Sequence, residues 1–431
     1  MPQNMLYRKL DNSDHRKGIM IENQIRPERV LIVGIQTEEM SDQKFQMNFD
    51  EMLDLTRTAQ GNPVAQITQK LDRLHPKSAV GQGKLEEIKA LIEVEEIDLV
   101  IFLNRLSPSI NQFLEKELQI KVIDRVQLIL DIFAQRARTQ AGQLQVKLAQ
   151  YEYLLPRIVG QGLSLSRLGA GIGTRGPGET KLETDRRVIR KQISQIKAQL
   201  KDLANHRERA RERRLNSHAF NIGLVGYTNA GKSTLLNQLT QSGAYVQDQL
   251  FATLDPLTRQ FSINSHDLFT ITDTVGFIDE LPTELIYAFR STLEEIRDVD
   301  LLIHVVDSSS ESRLMHEDTV DSLLKTLNMR NIPMLTVYNK GDLLKTPNQL
   351  VSLRQPSLIM SAYQSQDIEK LKQMIWQEAI EQFERYEEIV ESSDGQKLAK
   401  LRRTTLVESI DFDEKRQHYI VTGYERQGDN E

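Results

Sequence analysis

Short apolar runs alternate with amphipathic stretches over the first part of the chain, and that rhythm predicts its first unit. RVLIVGI from Arg29, IDLVIFL from Ile97 and IKVID from Ile120 read as strands, with KLEEIKALIEVEE from Lys84 as a helix between them. The repetition predicts βαβ units and a small parallel sheet ending near residue 125. Residues 1–28 are polar and are expected to be flexible.

The period then changes. Ala137, Ala141, Leu144, Leu148, Tyr151 and Leu155 are spaced 4-3-4-3-4, and Ile189, Ile193, Ile196, Leu200 and Leu203 are spaced 4-3-4-3, with Leu182 one heptad earlier. Two heptad helices joined by a loop predict an antiparallel helical hairpin over 126–215. Two ordinary amphipathic helices packed on a globular core are the alternative. Further on, FNIGLV from Phe220, LFTITDT from Leu268 and PMLTVY from Pro333 restore the strand-like rhythm and predict a second α/β unit over 216–380. From Phe383 the tail reads strand, helix (GQKLAKL) and two strands (TTLVESIDF and HYIVTGYE), a small α+β unit over 381–431.

Composition sharpens this in three places. The 431 residues include no cysteine, which rules out disulfides and thiolate-held metals and fits a reducing compartment. No leader-like or membrane-spanning apolar run occurs, so a cytoplasmic, soluble chain is expected. The net charge of -6 conceals a basic middle: Lys181 to Arg214 holds twelve Lys/Arg against five Asp/Glu. Before it, the expected hairpin tip at 160–178 holds seven of the chain's 22 glycines, and no acidic residue occurs from Tyr153 to Gly178. Glycine uncovers backbone N–H groups and arginine offers forked donors suited to phosphate. Arg157, Arg167, Arg175 and Lys181 are therefore candidate RNA contacts, made through backbone and shape because aromatic residues are sparse. A plain linker followed by a solvated helix face is the bland alternative.

The chemistry lies in the second α/β unit. Gly226, Tyr227, Thr228, Asn229, Ala230, Gly231, Lys232, Ser233 and Thr234 sit between a strand and a helix, the context of a phosphate loop. The glycines let backbone N–H groups face phosphate oxygens, Lys232 is placed for the β- and γ-phosphates, and the Ser233 hydroxyl for Mg²⁺. Asp273, Thr274, Val275 and Gly276 end the next strand; Asp273 can hold the magnesium shell and Gly276 can sense a γ-phosphate. Asn339, Lys340, Gly341 and Asp342 supply a carboxylate matched to the paired N–H donors of guanine, a pair adenine lacks. Ser361, Ala362 and Tyr363 are positioned to offer backbone N–H to the guanine carbonyl. Within Phe251, Ala252, Thr253, Leu254 and Asp255, Thr253 is the candidate second metal ligand on a mobile loop, or simply a surface threonine.

Taken together these motifs predict a guanosine-triphosphate hydrolase using Mg²⁺, converting GTP to GDP and phosphate. Where Ras-like switches carry a water-orienting glutamine after the D-x-x-G glycine, this chain has Phe277. An apolar side chain aligns no water, so hydrolysis is expected to be slow alone and stimulated by a partner. No catalytic residue is assigned beyond Lys232 for charge and Gly276 as sensor. Gly81-Gln82-Gly83-Lys84 departs in spacing from both nucleotide-loop patterns and reads as a helix start.

The run TRGPGETKLETDRR from Thr174 to Arg187, with GYTNAGKST, FATLDP from Phe251 and DTVGFI from Asp273, resembles the HflX family of translation-associated GTPases over nearly the whole chain. That resemblance implies an α/β N-terminal domain, a helical hairpin, a P-loop GTPase domain and a small C-terminal domain. It also implies binding of the large (50S) ribosomal subunit through its RNA, ribosome-stimulated hydrolysis and separation of stalled 70S ribosomes under stress. A monomer is expected. A ribosome-assembly GTPase without splitting activity, and a GTP-gated protein scaffold, remain as alternatives.

Overall fold

The computed structural model describes residues 26–158, 177–215, 219–240, 250–251, 256–264, 266–279, 296–344 and 353–426. Its first unit is a doubly wound parallel sheet. Strands β1 (Arg29–Gln36), β2 (Asn62–Lys70), β3 (Leu99–Phe102) and β4 (Lys121–Asp124) run in the order β2-β1-β3-β4, all parallel. Successive residues of β1 serve opposite cores. Val30 and Ile32 meet Phe45, Phe49 and Met52 of α1 (Asp42–Thr58). Leu31, Val33 and Ile35 meet Leu85 of α2 (Gln82–Val94) and Leu114 of α3 (Pro108–Leu118). Burial on both faces is why β1 reads as an unbroken apolar run. β2 escaped the sequence reading because it is an edge strand whose polar positions are largely open to solvent.

Helix α4 (Arg125–Arg136) leaves β4 directly, with Asp124 as its cap, and α5 (Gln140–Leu154) follows. The first predicted heptad run does not form one helix. Ala137 is extended, and Thr139 caps a new helix by accepting from the Gly142 N–H. Along α5 the buried positions are Ala141, Gly142, Gln145, Val146, Ala149 and Tyr153, while the predicted Leu144, Leu148 and Tyr151 are half-buried. α5 packs on α4 as well as on the long helix α6 (Pro177–Leu215), so it has two covered sides rather than one narrow seam. On α6 the predicted stripe holds: Ile196 is buried and Ile189, Ile193, Leu200 and Leu203 are half-buried among exposed neighbours. Lys197 pairs with Glu152 across the two helices at 2.8 Å.

The second unit carries the sheet β10-β9-β8-β5-β7-β6. Its strands are β5 (Phe220–Val225), β6 (Leu257–Ile263), β7 (His266–Asp273), β8 (Leu301–Asp307), β9 (Met334–Asn339) and β10 (Ser357–Ile359). All pairings are parallel except β6–β7, an antiparallel edge. Helices α7 (Lys232–Thr240), α8 (Arg313–Thr326) and α9 (Ser365–Gln382) flank it. The chain ends in β11 (Glu384–Glu391), α10 (Gly395–Thr404), β12 (Leu406–Asp413) and β13 (His418–Glu425), an antiparallel sheet in the order β11-β13-β12. Among the described residues no helix is long and apolar enough to cross a membrane.

Candidate active site

The site lies at the carboxyl ends of β5, β7 and β9, where an open α/β sheet presents its loops. Between β5 and α7 the chain turns back on itself with Gly226 at φ 156° and Gly231 at φ 95°. A Cβ at Gly231 would run into the Asn339 side-chain amide, so the glycine makes room for a bond that binds two motifs together. Asn339 donates from Nδ2 to the Ala230 carbonyl at 3.0 Å and accepts at Oδ1 from the Ala362 N–H at 3.0 Å. One buried amide thus links the phosphate loop to the loop after β10.

Lys232 opens α7, buried, with its Nζ donating to the carbonyls of Gly226 at 3.0 Å and Tyr227 at 2.9 Å. Burial pulls its pKa down to about 8, opposed by the Asp273 carboxylate. The Ser233 hydroxyl donates to Asp273 Oδ2 at 2.6 Å. A hydroxyl and a carboxylate held together at a loop built for phosphate form the hard oxygen set that suits Mg²⁺. Thr228 Oγ1 is buried with no hydrogen-bond partner among the described residues, a polar atom available to a ligand in the loop.

Gly276 comes very close to that loop: a Cβ there would lie 2.8 Å from the Thr228 Cα and 3.1 Å from Lys232 Nζ. Two backbone bonds fix the approach, Thr228 N–H to the Phe277 carbonyl at 2.8 Å and Phe277 N–H to the Gly226 carbonyl at 3.1 Å. The Phe277 ring points away, into a core with Val225, Ile296, Leu302 and Val320. It orients nothing at the phosphate end. Thr274 and Val275 are also occupied elsewhere, the former donating to the Leu224 carbonyl at 2.7 Å and the latter packed in the N-terminal core.

At the base end, Lys340 adopts φ 60° and its Nζ pairs with Asp307 at 2.7 Å. Asp342 is exposed in a 3-10 turn, Gly341–Leu343, that is held by the Gly341 N–H on the Met360 carbonyl at 2.9 Å. Asn229 stands exposed at φ 60° on the phosphate loop, and Thr234 is half-buried in the first turn of α7.

Four expectations change. The amides of Ser361, Ala362 and Tyr363 donate inside the protein, to Asp367 at 3.0 Å, Asn339 at 3.0 Å and the Ser361 hydroxyl at 3.4 Å, so they are not presented as a set to a base carbonyl. Phe251 is no ligand contact: its ring packs edge-on against Phe133 of the N-terminal core, centroids 4.5 Å apart. Arg157 is spent inward, donating to the carbonyls of Tyr153 at 3.0 Å and Leu106 at 2.8 Å and pairing with buried Asp124 at 3.3 Å; a partly covered cation paired in this way is a strut, not an RNA contact. The Tyr227 ring leaves the loop for the N-terminal domain. Ala252, Thr253, Leu254, Asp255, Arg167 and Arg175 lie outside the described residues, as does the Lys181 side chain.

Sequence reasoning missed what surrounds Tyr227. Its hydroxyl donates to Glu51 Oε2 at 2.7 Å and accepts from the Asp279 N–H at 2.9 Å. Arg125 pairs with Glu51 at 3.2 Å and donates to the Asp279 carbonyl at 3.0 Å, and Lys44 pairs with Asp279 at 3.2 Å. His316 of α8 stacks on the ring at 3.9 Å. Burial raises the Glu51 carboxyl, countered by Arg125 and by the Tyr227 bond. No spacing along the chain announces this cluster, since its members come from two domains.

Family models described as "GTP-binding GTPase N-terminal", "GTP-binding GTPase Middle Region" and "50S ribosome-binding GTPase" match residues 46–134, 136–214 and 221–340. A protein of Alkalihalophilus pseudofirmus described as GTPase HflX is 48% identical, over 92% of this chain and 93% of its own. One of the same description from Escherichia coli is 42% identical, over 74% of each chain. Among solved structures, SsGBP in complex with GDP aligns at a TM-score of 0.47 with 24% identity, over 81% of this chain and 98% of that one.

Proposed function

Because the chain belongs to the HflX family of GTPases, we propose that it hydrolyses GTP with Mg²⁺ on the large ribosomal subunit and separates stalled or idle 70S ribosomes into subunits under stress. The observation that carries the nucleotide half is the Asn339 bridge: one buried side chain at the end of β9 ties the phosphate loop after β5 to the loop after β10, which supports a single site across these strand ends. In that site the loop amides and Lys232 hold the phosphates, Gly276 reads the terminal one, and Asp342 selects guanine. Ser233 and Asp273, with Thr253, are the residues that would hold Mg²⁺, which neutralises charge developing on the phosphates. Since the Phe277 ring lies in a core, this position offers no group to align the attacking water, which supports slow turnover alone and acceleration by a partner.

The ribosome half rests on the description of the model matched by residues 221–340 and on the basic helix α6. The glycine-rich segment at 160–178, with Arg167, Arg175 and Lys181, is assigned to ribosomal RNA, and 29–125, 126–215, 216–380 and 381–431 are taken as the working domains of a cytoplasmic monomer. Binding in one nucleotide state and release in the other is the only way hydrolysis can do work on subunits. The test is sucrose-gradient analysis of 70S particles mixed with the protein. Conversion to 30S and 50S in a GTP analogue but not GDP is expected. Intact 70S with the protein bound would favour an assembly or remodelling role.

A further inference from the structure

Tyr227 is the second residue of the phosphate loop, yet its side chain belongs to another domain's core. Glu51 from α1 accepts a hydrogen bond from its hydroxyl and Arg125 from the start of α4 holds Glu51, all three at most 8% exposed. The same Arg125 grips the Asp279 carbonyl, and Tyr227 receives the Asp279 N–H. Through these hydrogen bonds the N-terminal domain therefore holds the nucleotide site at residues 227 and 279. Between those points the Phe277 backbone is bonded on both sides to Gly226 and Thr228. The circuit closes around Gly276. Its flanks are divided as well: Val275 and Ile278 pack in the N-terminal core, and Phe277 packs in the GTPase core.

A buried ion pair is a poor way to stabilise a fold, because desolvation offsets most of the attraction and apolar side chains of similar size serve as well. Its position, bridging one domain to the segment that a third phosphate must reposition, points to control. We propose that Glu51 and Arg125 are positioning residues through which the N-terminal domain holds the Gly276–Asp279 segment against the phosphate loop, linking the seating of that domain to the choice between GDP and GTP. Drawing Gly276 toward a terminal phosphate moves residues 277–279 and strains the circuit; a diphosphate makes no such demand. The seated domain favours GDP, and linkage requires that GTP loosen the domain in return. A pull on α4, which carries Arg125 at its first position, would act on the same equilibrium. The inference needs only the nucleotide site and applies to the isolated chain, whatever its partner.

The test uses the full chain and the variants Glu51→Gln and Tyr227→Phe. Affinities for GDP and for a non-hydrolysable GTP analogue are measured by calorimetry, with amide exchange followed at Thr228 and Phe277. Each variant is expected to shift the affinity ratio toward the triphosphate by about five- to tenfold, near the low end of known couplings. The two amides should exchange faster, and the double variant should add little to either single one. Equal losses of both affinities, an unchanged ratio, or a shift toward GDP would overturn the proposal. If Glu51→Gln does not fold, Tyr227→Phe, which removes one oxygen, decides alone. Loss of preference for guanosine over adenosine nucleotides in the parent chain would instead strike the GTPase reading itself.

Discussion

Replacing Asn339 by alanine removes two buried hydrogen bonds at once, from the Ala230 carbonyl and from the Ala362 N–H. The side chain is 3% exposed, so water cannot readily take its place. Each orphaned backbone group costs about 1–3 kcal/mol when left unsatisfied, so a stability loss of roughly 2–6 kcal/mol follows. The same bonds align the phosphate loop with the base loops. If about half of that loss appears in binding, GDP affinity falls on the order of 5–150-fold. Asn339→Asp is the sharper probe. It keeps an oxygen for the Ala362 N–H but turns a second oxygen toward the Ala230 carbonyl, so it should be at least as harmful as alanine. Urea unfolding and calorimetric titration with GDP measure both quantities. Wild-type GDP affinity in both variants would refute the idea that this amide holds the two halves of the site in register.

Gly276→Ala places a methyl 2.8 Å from the Thr228 Cα, where backbone cannot yield cheaply; GTP turnover should fall at least about tenfold while GDP binding changes far less, read by phosphate release and titration. Burial lowers the His304 pKa to about 3 and that of His316 to about 4, with nearby positive charge adding to the effect at His304. Both stay neutral in the fold while the unfolded chain takes up protons below the ordinary histidine value of about 6.5. Stability is therefore complete above that pH and declines as pH falls through 6 and 5, by up to about 1.4 kcal/mol per pH unit for each histidine. Urea midpoints at pH 7 and 5 check this, and His316→Gln should flatten the decline. Chelation of Mg²⁺ should abolish GTP turnover, and restoring the metal should recover it, measured by phosphate release.

The parts of the fold that the chain wrote openly are those whose residues are neighbours in sequence. β1 and β3 were plain because burial on both faces leaves an unbroken apolar run, whereas β2, on the sheet edge, keeps polar residues and gave no such signal. The break at Ala137–Thr139 was hidden because a heptad count does not register an extended residue followed by a cap. At the site, the motifs holding Gly231, Lys232 and Asn339 stood out in the sequence, but that Gly231 makes room for the Asn339 amide is visible only in the fold. Arg157 misled because an arginine beside a glycine-rich stretch looks the same whether it faces outward or reaches back to Asp124. The Glu51–Arg125–Tyr227 cluster left no trace in the sequence: Glu51 and Tyr227 stand 176 positions apart, and a glutamate in an amphipathic helix ordinarily signals solvent.

The central claim is that the nucleotide bound between Lys232 and Asp342 sets how strongly the chain grips the ribosome. Its most direct measurement is co-sedimentation with purified 50S subunits in GDP, in a non-hydrolysable GTP analogue, and in the matching adenosine nucleotides. Strong binding with the guanosine triphosphate analogue and weak binding with the other nucleotides is the predicted result. Equal recovery of the protein with 50S subunits in all four conditions would contradict it.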